Sequence, residues 1–88
     1  MAHFGIGIIG GGGIAAEGHI RGYQADPRCQ VVALYDVDEA KAREQAQRLG
    51  VPNVYTRLDE LLERSDIHAV SVCSPDHLHG DHCHAALL

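Results

Sequence analysis

Four consecutive glycines, Gly10 to Gly13, follow the apolar run Phe4 to Ile9 and give the pattern Gly10-x-Gly12-x-x-Ala15. Residues of this type and spacing suit a polyanion. The first glycine permits a tight turn, the second removes a side chain that would block a pyrophosphate, and a small third residue lets a helix approach its strand. Backbone N–H groups at the start of that helix then meet the phosphates. The glycines alone are a weak signal, because any flexible turn in a glycine-rich chain satisfies them. Context strengthens it: a buried strand before, a helix after, and an acid, Asp36, closing the next apolar run about twenty residues further on. A carboxylate there accepts hydrogen bonds from both hydroxyls of an adenosine ribose and repels a 2′-phosphate, so NAD is expected and NADP less so. The bases that follow, Lys41 and Arg43, stand further along the chain. The other use for Asp36 is as a loop acid at the start of the next helix, a role Asp38 fills better. The pattern therefore nominates Gly10, Gly12, Gly13, Ile14 and Asp36 as cofactor-binding residues.

A second group with chemical potential lies near the C-terminus: His77, His79, His82, Cys83 and His84. His79 and Cys83 are four apart and can share a metal on one helical face. No second cluster accompanies them, and none of the established zinc spacings is matched, so no native metal site is assigned. Cys73 closes an apolar run without an evident base beside it and reads as a core thiol rather than a nucleophile.

The elements that would carry these residues follow from periodicity. Phe4 to Ile9 and Gln30 to Tyr35 are short apolar runs, as in strands buried on both faces. Ile14 to Ala25 reads as a helix stopped by Asp26-Pro27, with Ala15, Gly18 and Gly22 on roughly one face and some packing reason expected for the glycines. A second helix is capped by Asp38, stapled by Val37 onto Ala42, buried through Ala42, Ala46 and Leu49, and ended by Gly50. Glu39 with Arg43 and Glu44 with Arg48 are i,i+4 pairs on its solvated face. Val54-Tyr55 is a short strand. Thr56 caps a helix with Leu58, Leu61 and Leu62 inward, and Asp59 is its capping-box acid. Ile67 to Cys73 is a fourth strand, 74–78 a loop, and a helix starts at His79. Strands alternating with helices predict an α/β fold, a Rossmann-type doubly wound parallel sheet of four strands in order 3-2-1-4. Residues 1–88 form one domain, with no linker to divide it.

Length and composition bound the rest. Eighty-eight residues make one small domain, and a two-domain enzyme does not fit. A net charge of −5 with interspersed signs and no basic block disfavours nucleic acid. Three cysteines without close pairing disfavour a disulfide framework and favour a reducing cytoplasm. No run is long enough to span a bilayer, so no membrane partner is expected.

The runs Ile6 to Ala15, Val31 to Asp36 and Ala69 to Pro75 with His79 resemble the N-terminal domain of the Gfo/Idh/MocA family, the glucose-fructose oxidoreductase and inositol dehydrogenase-like enzymes. The resemblance covers essentially the whole chain. It implies an NAD- or NADP-dependent oxidoreductase of sugars, polyols or related compounds. It adds Ser74, Pro75 and His79 to the cofactor-binding set, as the family's Thr/Ser-Pro-Asn-x-x-His loop, with Asp76 in place of the usual Asn. The family's later Glu-Lys-Pro strand, with its catalytic lysine, and its substrate domain have no counterpart in these 88 residues. The resemblance thus implies a truncated domain with no catalytic residue of its own and no turnover alone, with an exposed edge on strand 4 through which copies would self-associate. A stand-alone nucleotide-sensing module is the alternative. FAD and S-adenosylmethionine, which also bind glycine-rich turns, are disfavoured by the full-length resemblance.

Overall fold

The computed structural model describes residues 4–73 together with the backbone of 75–76, 80–81 and 84–87. Strand β1 (Phe4–Ile9), helix α1 (Ile14–Ala25), strand β2 (Cys29–Tyr35), helix α2 (Glu39–Leu49), strand β3 (Asn53–Tyr55), helix α3 (Leu58–Leu62) and strand β4 (Ala69–Val72) alternate along the chain. The first four strands are parallel and lie in the order β3-β2-β1-β4, a Rossmann-like α/β sheet. Passing from β3 to the far side of β1 reverses the direction of winding. The C-terminal ends of β1 and β4 therefore border the crevice where such sheets bind ligands.

Three short strands complete the described backbone: β5 (Pro75–Asp76), β6 (Gly80–Asp81) and β7 (His84–Leu87). At 75–76 they put a strand within the expected loop, and at 80–81 and 84–87 strands in place of the expected helix, whose start at His79 lies outside the described residues. β5 and β6 pair with each other, and β7 runs antiparallel along β4, Ala69 opposite Leu87 and Val72 opposite His84. The outer edge of β4 presents a row of backbone donors and acceptors that must be satisfied, and strand pairing does so directly. That edge is thus occupied by β7 instead of open.

Both faces of the sheet are covered, and β1 is built for it. Ile6 and Ile8 point to one face and join Ala16 and Ile20 of α1 with Ala42, Ala46 and Leu49 of α2 in one buried cluster. On the other face β1 carries Gly5 and Gly7. A Cβ on Gly5 would lie 1.8 Å from the Asp66 carbonyl oxygen, and one on Gly7 2.9 Å from Leu61 Cδ2. The glycines therefore let α3 and its exit approach the strand. The smaller cluster there contains Val32, Ala33, Leu61, Ile67 and Val70. Two successive residues of β2, Val32 and Ala33, share that face because the β1–β2 register shifts between Ile6 and Gly7: Ile6 faces Val31, but Gly7 faces Ala33. The extra residue flips the alternation, so Val31 and Leu34 both reach the α1–α2 side.

Local signals held unevenly. Asp38 caps α2, accepting a hydrogen bond from the Lys41 amide at 3.1 Å, and Gly50 ends it in the left-handed region with φ 74°. Glu39 pairs with Arg43. Thr56, however, does not cap α3, whose N-cap position is Arg57. Asp59 instead pairs with Arg57, and Leu62 is exposed. Val37 is 81% exposed and forms no staple. On α1 the buried side chains are Ala16 and Ile20, while Gly18 and Gly22 are exposed and a Cβ on either would meet open space. Among the described residues nothing packs on these two glycines. Replacing Gly18 or Gly22 with alanine should therefore stabilise the chain by about 0.5–1 kcal/mol each, read from the denaturation midpoint. A loss of stability at either position would mean that this helix face is covered.

Candidate functional site

The glycine loop leaves β1 through Gly10, whose φ of 79° is in the left-handed region. The turn is anchored to the end of β2. The amides of Gly10 and Gly11 both donate to the Tyr35 carbonyl at 2.9 Å, and the Gly12 amide donates to Asp36 Oδ2 at 2.9 Å. These three amides are engaged within the protein. The amides left to face a ligand are those of Gly13, Ile14 and Ala15, at the start of α1. The N-cap of α1 is Gly13, extended at φ −89° and ψ 164°, with no side-chain hydrogen bond to the helix. The first amides of such a helix have no intrahelical partner, and their dipoles add to a partial positive charge.

Gly12 has a second duty that its spacing did not disclose. A Cβ there would lie 2.9 Å from Asp36 Oδ2 and 3.1 Å from Lys41 Cβ, so its absence lets the carboxylate reach the loop. The other Asp36 oxygen accepts from the Asp38 amide at 3.0 Å. Asp36 thus also supports the approach to α2, the role weighed against ribose binding. A carboxylate offers about four acceptor sites, so both oxygens retain capacity for a ligand hydroxyl.

Beside the uncapped helix start lies a cleft of about 720 Å³ bordered by Gly13, Ile14, Ala15, Lys41, Gln45 and Cys73. Its size lies in the range of small-molecule sites. Ile14 is 93% exposed at its edge. Ala15 is half-buried and faces the cleft, and the residue packed into the core beside it is Ala16.

Sequence reasoning missed the partners that hold this helix start. Gln45 is buried, and its Nε2 donates to the Gly13 carbonyl at 2.9 Å. Its Oε1 accepts from Arg48, whose guanidinium also bonds Glu17 of α1 at 2.9 Å. Arg48 therefore crosses to α1 rather than pairing with Glu44. The available signal was a polar residue within the buried Ala42, Ala46, Leu49 stripe. Arg48, then Arg21, hold the Glu17 carboxyl below its ordinary value of 4.5, and Glu17 raises the Arg48 guanidinium in turn.

Of the other nominated residues, Pro75 lies in β5 just past β4, while Ser74 and His79 fall outside the described residues. The same holds for His77, His82, Cys83 and the His84 side chain. Among the described residues no group of three or more His, Cys, Asp or Glu is arranged to hold a metal, and no helix is long and apolar enough to cross a membrane.

An anchored glycine turn, an uncapped helix start and an acid at the end of β2, all at the reversal of a parallel sheet, define a dinucleotide-binding Rossmann domain. The match to the family model places it further: residues 4–88 fit the oxidoreductase family with an NAD-binding Rossmann fold, Gfo/Idh/MocA, and the chain belongs to that family. It is 35% identical over 81 residues to a D-xylose 1-dehydrogenase (NADP(+)) of Haloferax volcanii, covering 92% of this chain and 25% of that protein. It is 34% identical over 76 residues to a myo-inositol 2-dehydrogenase of Thermotoga maritima, covering 86% and 22%. The solved structure of GenD2 from gentamicin A biosynthesis, in complex with NAD, superposes with a TM-score of 0.79 at 32% identity, covering 90% of this chain and 22% of that one. The chain thus spans between a fifth and a quarter of the length of the relatives it matches.

The Glu17–Arg48 bridge should respond to acid. Because the folded-state Glu17 is depressed below 4.5, its contribution is complete above that value and is lost as pH falls through the lower, folded one. Wild type should have the higher thermal midpoint than Glu17→Gln at pH 7, and the gap should close in acid. Both groups are solvent-exposed, so the gap is small. A difference that does not shrink as pH falls below 4.5 would exclude the bridge as its cause.

Proposed function

We propose that this chain is the dinucleotide-holding part of an oxidoreductase acting on a sugar, a polyol or a related compound, with NAD preferred over NADP. The observation that carries this reading is the uncapped start of α1 opening on a cleft edged by Gly12, whose amide is bonded to Asp36. The residues fit the group. The amides of Gly13 and Ile14 would receive the pyrophosphate, with Gly10 and Gly12 shaping the turn behind them. The Asp36 carboxylate would accept from the adenosine ribose hydroxyls and repel a 2′-phosphate. Ser74, Pro75 and His79 complete the proposed site by their match to the family's loop. When bound, the nicotinamide supplies the hydride acceptor or donor. The substrate class is suggested by the xylose and inositol dehydrogenases among the relatives. Three cysteines without close pairing suit a reducing cytoplasm.

In this reading the 88 residues alone carry no catalytic group and turn over no substrate. Hydride transfer requires cofactor, substrate and an acid–base group in near-attack geometry together, and the described cleft is accounted for by the cofactor. Calorimetric titration tests the binding. NAD should bind more tightly than NADP, and Asp36→Ser should narrow that preference about tenfold, as expected when one ion-pair-strength discrimination is removed. Equal affinity of the wild-type chain for the two would take Asp36 out of this role. Following NADH over a panel of sugars and polyols tests the chemistry. Turnover by the purified chain, abolished by Gly12→Val, would overturn the inactive reading.

A further inference from the structure

We infer that Gln45 is a positioning residue for the phosphate site: from α2 it sets the direction in which the first amide of α1 points. The inference rests on the dinucleotide reading above. Gln45 Nε2 donates to the Gly13 carbonyl oxygen at 2.9 Å. That carbonyl belongs to the same planar, trans peptide unit as the Ile14 N–H, so a bond that fixes one fixes the other in the opposite direction. As N-cap, Gly13 gives its carbonyl to the first backbone bond of α1, but it has no side chain and α1 has no side-chain cap to orient this peptide further. Gln45 does it from outside, across 32 residues of sequence.

The amide of Gln45 is itself oriented at both ends. Arg48 only donates, so it selects Oε1, while the Gly13 carbonyl only accepts and selects Nε2. Arg48 is in turn held by Glu17 of α1, which closes a loop of contacts Gly13–Gln45–Arg48–Glu17 between the two helices. Gln45 is only 4% exposed, whereas the stripe around it is Ala42, Ala46 and Leu49. Packing alone would be served by an apolar side chain of the same length. A buried amide with both ends paired, one of them on the peptide at the mouth of the cleft, is what orienting that peptide requires. A hydrogen bond to the carbonyl also polarises the peptide and strengthens its N–H as a donor to an anion.

The test is Gln45→Met, which keeps the volume and removes both hydrogen bonds. The full chain is titrated with ADP-ribose, and the Ile14 amide is followed by ¹⁵N–¹H NMR. Expected are a loss of ADP-ribose affinity of about five- to tenfold, as for one hydrogen bond, and a reduced ligand-induced shift of the Ile14 amide at a thermal midpoint near wild type. Should Gln45→Met also lower the midpoint, Arg48→Met leaves the Gln45–Gly13 pair in place but frees its far end; because Arg48 also borders the cleft, the readout is a reduced ligand-induced shift of the Ile14 amide rather than affinity. ADP-ribose binding equal to wild type in Gln45→Met, with the Ile14 shift intact, overturns the inference and leaves the dinucleotide reading standing. An Ile14 shift equal to wild type in Arg48→Met overturns it where the first variant is unstable. Failure of the wild-type chain to bind ADP-ribose or NAD overturns the dinucleotide reading itself.

Discussion

The hydrogen bond from the Gly12 amide to the Asp36 carboxylate joins the glycine turn to the end of β2, and most of the site geometry depends on it. It requires that residue 12 have no side chain, since a Cβ would sit 2.9 Å from the oxygen that accepts the bond. It requires also that β1 and β2 end level with each other, which their pairing of Ile9 with Tyr35 provides. The Tyr35 carbonyl, receiving the Gly10 and Gly11 amides, fixes the same turn one residue earlier. Three successive loop amides are thereby turned inward, and the chain that follows can present only the helix start to the cleft. A turn held in this way before any ligand arrives loses little conformational freedom on binding, which lowers the entropic cost of association.

The core is arranged so that this turn has a firm base. β1 puts isoleucine on the α1–α2 face and glycine on the α3 face, so a six-residue strand supports a broad helical layer on one side and a close backbone crossing on the other. The register shift in β2 sends Val32 and Ala33 together to the α3 side, where the small strand face leaves room for them. Asn53 Nδ2 takes the Val32 carbonyl at 2.9 Å, so a backbone acceptor at the irregularity is satisfied by the neighbouring strand. Further out, Gln24 of α1 donates to the Leu49 carbonyl at the end of α2. Both ties leave the C-terminal end of α2, and they reach the two ends of α1, at Gln24 and at Glu17.

Legibility in the sequence followed the range of the interactions involved. The parallel strands, the capped helix α2 and the 3-2-1-4 order were readable, because apolar runs, Asp38 and Gly50 act within a few residues and crossover handedness is general. The placing of Gly10 and Asp36 at the ends of β1 and β2 was readable for the same reason. Val37 and Thr56 were misread because a permissive residue at a cap or staple position acts only if the chain presents it there. Gly18 and Gly22 were misread because glycine spacing on a helix does not say which face is buried; Ala16 and Ile20 do. The antiparallel β7 was not readable, since pairing with β4 is a long-range choice and His84–Leu87 carries no alternation. Gln45 was visible only as a polar residue in an alanine stripe, and its partner lay far away in sequence.

The contact that closes the cleft region, Arg48 with Glu17, lies between side chains that are 46% and 31% exposed, and pairs of that kind add little to stability. Its importance is geometric. A guanidinium held by Glu17 on one helix offers a fixed donor to Gln45 on the other, and a fixed Gln45 offers a fixed donor to the peptide of Gly13. Each link removes a rotational choice from the next, and the last one removed belongs to the amide that faces the cleft. Solvent screening that weakens the charge pair as an energy leaves this ordering in place as long as the bridge is populated for most of the time. A surface ion pair of little value to the fold can in this way matter to the site, and the two effects separate experimentally because stability sums over the whole chain whereas orientation acts on one peptide.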